Sequence, residues 1–135
     1  MDRIVWNESF SVGVAELDEQ HKKLVGMLNK LIEAENVEVG SEIISDTLMK
    51  MSEYAKVHFA TEEEYMLKYG YPGYDMQKQQ HKEFKKKVAF TAFDTTEHQS
   101  YVPMELVRFL KDWLTNHILK SDMGYRAFFN ERGVT

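Results

Sequence analysis

The chain has 135 residues, 43% hydrophobic and 29% charged, a size and balance that suit one folded core. Its net charge of -5 is spread without an acidic or basic tail, which argues against nucleic acid as a partner. Cysteine is absent, so disulfides, iron–sulfur clusters, thiolate zinc sites and cysteine nucleophiles are excluded, and any metal must be held by nitrogen and oxygen. No apolar run is long enough to span a bilayer, and the opening MDRIVWNESF lacks the apolar stretch of a secretory signal. A cytoplasmic protein without membrane attachment is expected.

Residues 1–17 read as an extended N-terminal arm that would pack Trp6 and Phe10 against the outside of the fold. A first helix is expected to start near Asp18, a favourable N-cap residue, and to run to about Asn36. Leu24, Leu28 and Leu31 form its apolar stripe, and His21 lies on that stripe. A second helix is expected over 41–69, stopping at the breaker-rich GYPG of 70–73. Its apolar face reads Ile44, Leu48, Met51, Ala55, His58, Glu62, Tyr65 and Tyr69, every step being three or four. A third helix over 75–93 carries Gln77, His81, Phe84 and Val88 in register, and the lysines of KEFKKK (82–87) make its solvated face. The polar stretch DTTEHQS (94–100), which contains His98, reads as a connection. A fourth helix over 103–121 opens at Pro103, tolerated in a first turn, and lines up Leu106, Leu110, Trp113 and His117. Four helices with short or moderate connections predict an all-α fold, an up-down-up-down four-helix bundle forming one domain over 1–135.

One histidine on an apolar face is ordinarily a hydrogen-bonded core residue. Here every expected helix carries one (His21, His58, His81, His117), and Glu62 and Asp122 join them. Left without partners, six buried polar residues would each cost roughly 1 to 3 kcal/mol, a total comparable with the whole stability of a domain, roughly 5 to 15 kcal/mol. Imidazoles and carboxylates converging from four helices suit a first-row metal ion, and two carboxylates suit a bridged pair. Residues four apart, as His58 and Glu62 are, point the same way on a helix, about 6 Å apart along its axis. The spacing of five in HILKSD (117–122) instead turns about 140° beyond a full turn, so the helix must end or form a π-bulge near 118–122 for Asp122 to face inward.

These stretches together resemble the hemerythrin family in its single-domain bacterial form. The arm VWNESFSVGVAELDEQH, then HFATEE, YGYPGY, QKQQHKEF and DWLTNHILKSD carry the likeness over nearly the whole chain. The resemblance implies a bundle enclosing two non-haem iron ions, oxo- or hydroxo-bridged, that bind dioxygen reversibly. It implies that Glu62 and Asp122 bridge, that His21 and His58 hold the iron with an open position, and that His81 and His117 hold the other. Leu114 matches a residue that lines the dioxygen pocket, with Leu24, Leu28, Phe59 and Trp113 as its apolar surroundings. The departure is Gln77, which stands where the family pattern HxxxH has its first histidine. It could bind iron, hold a water or leave a coordination position open.

Reversible dioxygen binding by a monomer, for transport, storage or sensing, is the leading expectation, with no catalytic role implied. A di-iron enzyme acting on peroxide, dioxygen or nitric oxide is the alternative. A metal-free or differently metallated bundle used as a binding module, with a protein partner possible, is the third reading.

Overall fold

Apolar residues recurring at every third or fourth position wind into four helical runs in the computed structural model, which describes residues 3–33, 41–98 and 104–135. Helix α1 spans Ala15–Glu33, α2 spans Ser41–Tyr69 and α3 spans Tyr74–His98. The fourth run is composite: α4 over Met104–Asn116, a π-helical segment over His117–Asp122, and α5 over Met123–Glu131. There is no strand among the described residues, and the runs form an up-down-up-down bundle. The expected helix end near Asn36 and start at Pro103 fall outside the described residues, as do the side chains of Ile44 and Leu106.

Three local features differ from the sequence expectation. Helix α1 begins at Ala15 rather than Asp18, because the chain end supplies a partner there: Ala15 N donates to Thr135 O at 2.8 Å. Asp18 therefore sits in the first turn, where its charge suits the helix dipole, and its carboxylate reaches back to the arm. It accepts from Val12 N at 2.8 Å and Ser11 Oγ at 2.6 Å. The second difference is that α3 continues through the polar residues to His98, so His98 ends a helix rather than sitting in a loop. The stretch DTTEH holds no glycine or proline, and polarity alone does not stop a helix. Finally, the fourth run does not stop near residue 121 but resumes as α5.

The GYPG turn behaves as its composition requires. Gly70 adopts a positive φ of 69°, and Tyr71 N donates back to Met66 O at 2.9 Å, closing the end of α2. The arm is pinned along α1 by Asn29, whose side chain exchanges two 2.9 Å hydrogen bonds with the Ile4 backbone. Trp6 stacks on Phe10 at 5.5 Å, and Phe10 packs against the bundle core.

That core comes in two parts. One apolar cluster contains Leu24, Leu28, Leu31, Leu48, Met51, Ala55, Phe59, Phe84, Val88, Leu110 and Leu114. The other contains Val12, Val14, Leu17, Met66, Tyr125 and Phe129. Along each run the polar residues fall between the two: His21 between Leu17 and Leu24, Glu62 between Phe59 and Met66, His117 and Asp122 between Leu114 and Tyr125. On α3, Gln77 and His81 lie between Tyr74, packed against the second cluster, and Phe84 in the first. The bundle is thus a polar layer held between two apolar blocks.

Candidate metal centre

His21, His58, Glu62, Gln77, His81, His117 and Asp122 are all buried, at 0 to 4% exposure, and the four runs bring them to one place. The carboxylates organise the cluster. One oxygen of Asp122, Oδ2, lies 3.0 Å from His21 Nε2, and its other oxygen, Oδ1, lies 3.0 Å from His117 Nε2. Glu62 Oε1 lies against His58 Nε2 and 3.7 Å from His21 Nε2. Donor atoms group in two sets within 4.8 Å of one another: His21, His58, Glu62 and Asp122 in one, and Glu62, His81 and His117 in the other. Glu62 belongs to both.

The π-helical segment explains how His117 and Asp122 share this space. Its i→i+5 bonding brings the fifth residue back over the first, whereas an unbroken α-helix would aim Asp122 away. Gln77, one turn before His81, donates from Nε2 to Asp122 Oδ1 at 3.2 Å.

Outside the cluster, three histidines are oriented by acceptors that were not singled out from the sequence. His58 Nδ1 lies 2.7 Å from Gln20 Oε1, and Gln20 is itself oriented by Thr61. His81 Nδ1 lies 2.9 Å from Glu63 Oε2, and His117 Nδ1 lies 2.9 Å from Gln80 Oε1. Because these oxygens only accept, each Nδ1 carries the hydrogen and each Nε2 turns inward with its lone pair, the tautomer a metal-ligating histidine needs. A fourth partner is Tyr125 of α5, fully buried, whose hydroxyl donates to Glu62 Oε2 at 3.2 Å. Phe59 stacks on His81 at 4.0 Å and Trp113 on His117 at 4.4 Å, fixing the ring planes.

The electrostatics of the cluster follow from crowding acids and imidazoles out of water. Burial alone would lower the His21 pKa, but hydrogen bonding to Asp122 and Glu62 and their charges outweigh it and raise it to about 10. Burial opposes ionisation of Glu62, yet His58 and the bond from His21 hold its carboxyl well below its ordinary range. His117 is raised by Asp122 against the effect of burial, whereas burial wins at His81 and lowers it. Without metal, therefore, a proton held on His21 offsets part of the negative charge gathered there.

Protons do this incompletely, which is where a metal fits. His21 Nδ1 and Gln77 Oε1 are buried without a hydrogen-bond partner, and His21 Nε2, His58 Nε2, Glu62 Oε1 and Asp122 Oδ2 are buried facing only one another. His81 Nε2 and His117 Nε2 face each other at 3.1 Å, where two lone pairs repel unless a cation or a proton lies between them. Inward-facing imidazole nitrogens and carboxylate oxygens, orphaned and converging, are the donor set a first-row divalent cation takes.

The apolar residues expected around the centre are in place as well. Leu24, Leu28, Phe59 and Leu114 are buried in the larger apolar cluster, and Trp113 packs against it.

A four-helix bundle with a histidine–carboxylate layer across its middle defines a class, and comparison agrees. The family model of the hemerythrin HHE cation binding domain matches residues 12–128, and the chain belongs to the hemerythrin family. Among its relatives, the bacteriohemerythrin of Clostridium acetobutylicum is 32% identical over 125 residues, covering 90% of this chain and 97% of that protein. The hemerythrin-like protein of Naegleria gruberi is 31% identical, covering 90% of both chains. Among solved structures, wild-type hemerythrin superposes with a TM-score of 0.82 at 30% identity, covering 93% of this chain and 97% of that one. A leucine-to-tyrosine mutant of hemerythrin gives 0.85 at 29% identity, covering 94% and 97%. Among the described residues no helix is long and apolar enough to cross a membrane.

Proposed function

We propose that this chain is a non-haem di-iron protein that binds dioxygen reversibly, as a carrier, store or sensor, and acts as a cytoplasmic monomer. The observation that carries the reading is the set of orphaned buried nitrogens and oxygens contributed by all four helical runs. In this reading His21 and His58 hold the ion with an open position, His81 and His117 hold the other, and Glu62 and Asp122 bridge the pair. Gln77 stands where a histidine is expected. Bound iron would supply the electrons that allow dioxygen to be held and given back.

The protein's own residues do the rest. Gln20, Glu63 and Gln80 keep the Nδ1 protons of His58, His81 and His117 outward, so the Nε2 lone pairs stay available inside. Tyr125 holds Glu62 by its outer oxygen. Leu24 follows His21 by one turn and Leu114 precedes His117 by one turn. With Leu28, Phe59 and Trp113 they keep water from the site and so protect a bound gas from side reactions.

A second reading, a di-iron enzyme reducing peroxide, dioxygen or nitric oxide, is favoured by the buried hydroxyl of Tyr125 beside Glu62. Metal analysis followed by gas exchange on the ferrous protein separates the two. Two irons per chain and an oxygenated absorption that appears and disappears with gas support the carrier. A single passage to the ferric state, reversed only by added reductant, supports the enzyme. Iron below about one equivalent after expression with ample iron overturns both.

A further inference from the structure

We propose that Glu63, acting through His81, sets the two metal positions at unequal reduction potentials, the position held by His81 and His117 being the lower. This rests on the di-iron reading above.

Each ion would be held by two histidines and by both carboxylates, so these ligands alone leave the two positions alike. The groups behind the histidines differ. His81 Nδ1 lies 2.9 Å from Glu63 Oε2, a carboxylate oxygen. His117, which shares that position, is held by the neutral amide oxygen of Gln80, 2.9 Å from its Nδ1. Across the centre, His58 Nδ1 lies 2.7 Å from the neutral amide oxygen of Gln20, and His21 Nδ1 is buried without a hydrogen-bond partner. One position is therefore backed by a negative charge and an amide, the other by an amide alone.

A hydrogen bond to a carboxylate is roughly twice as strong as one to a neutral oxygen, and it draws the Nδ1 proton away from the ring. Electron density then shifts toward Nε2, which becomes a more basic donor to a cation. Such a donor favours the ferric charge over the ferrous one and lowers the reduction potential, hydrogen bonding around a ligand being one of the levers by which proteins set it. Packing keeps the pair together. Phe59 lies face to face with the His81 ring, at 4.0 Å and 7°, which opposes rotation of Nδ1 away from Glu63. The Glu63 side chain is only 18% exposed, so water screens its charge in part. Glu63 touches neither metal position and is a positioning residue. In each oxidation one electron passes from a ferrous ion to the oxidant, no bond of Glu63 or His81 breaks, and the Nδ1 proton stays between them.

An anaerobic redox titration of the iron-loaded protein with mediators tests this, followed by visible absorption and by electron paramagnetic resonance of the half-oxidised centre. Two one-electron steps are expected. Glu63→Gln keeps a hydrogen-bond acceptor and removes the charge. It should shift the equilibrium of the lower step about tenfold, or upward by about 59 mV for one electron, and move the upper step less than half as far. The steps then lie closer, and the yield of half-oxidised protein falls. Gln20→Glu places a carboxylate behind His58 and should lower the upper step, closing the gap from the other side. It decides the matter if Glu63→Gln does not fold. A single two-electron step in the unaltered protein, or steps that move equally or not at all in the variants, overturn the proposal while leaving the di-iron reading intact. A protein that takes up no iron removes both.

Discussion

Among the described residues Tyr125 has no hydrogen-bond partner other than Glu62, and Glu62 Oε2 has no other donor, so each secures the other inside the bundle. Replacing Tyr125 by Phe keeps the ring in its cluster with Phe129 and removes only the hydroxyl. The lost bond leaves a buried carboxylate oxygen unsatisfied, which costs roughly 1 to 3 kcal/mol. Denaturant unfolding of the metal-free Tyr125→Phe protein should show that loss, and an unchanged midpoint would mean that Glu62 does not depend on this donor. Glu63 acts one bond further from the centre, through His81 Nδ1. Glu63→Leu should weaken metal binding about 10- to 100-fold, because the imidazole loses the group that fixes its tautomer. Chelator competition measures this, and an affinity within threefold of the unaltered protein would count against the oriented tautomer.

At the scale of the element, what could be read from sequence was periodicity, and what could not was long-range partnership. Steps of three and four put His21, His58, Glu62, His81 and His117 on inward faces, and the spacing of five demanded a departure from α-helix that appears as the π-helical segment His117–Asp122. Gln20, Glu63 and Gln80 escaped notice because they flank the apolar stripes, and their roles depend on which neighbouring helix stands opposite. Tyr125 escaped because the fourth run was expected to end before it. Asp18 shows the same limit: its residue type suggested a cap, but the bonds it makes go to residues six and seven places earlier in the chain. Asp18→Ala should therefore release Ser11 and Val12 from α1 more than it shortens the helix. The expected loss is about 1 to 2 kcal/mol in chemical unfolding, with faster hydrogen exchange at the Val12 amide. Fraying of Leu17 and His21 without exposure of Val12 would instead assign Asp18 an ordinary capping role.

Across the whole molecule, the polar layer is the weak plane of an otherwise well-packed bundle. Among the described residues the apolar clusters above and below it bury leucine, phenylalanine and tyrosine without polar orphans, whereas the layer between them gathers two carboxylates and four imidazoles that protons satisfy only in part. A cation bound there ties all four helical runs together at their middle and is lost when they separate, so its binding energy becomes folding energy. With free metal at about a thousand times the dissociation constant, the gain is about 4 kcal/mol, which for a domain of this size corresponds to a melting temperature higher by roughly 10 to 15 °C. Calorimetry on metal-loaded protein and on protein stripped with a chelator should show that gap. Because the layer spans the bundle, the stripped protein should still unfold in one transition, shifted downward, with both tryptophans reporting the same midpoint. Equal melting temperatures would mean that the imidazoles and carboxylates satisfy one another without an ion, and the layer would then be a polar core rather than a metal centre.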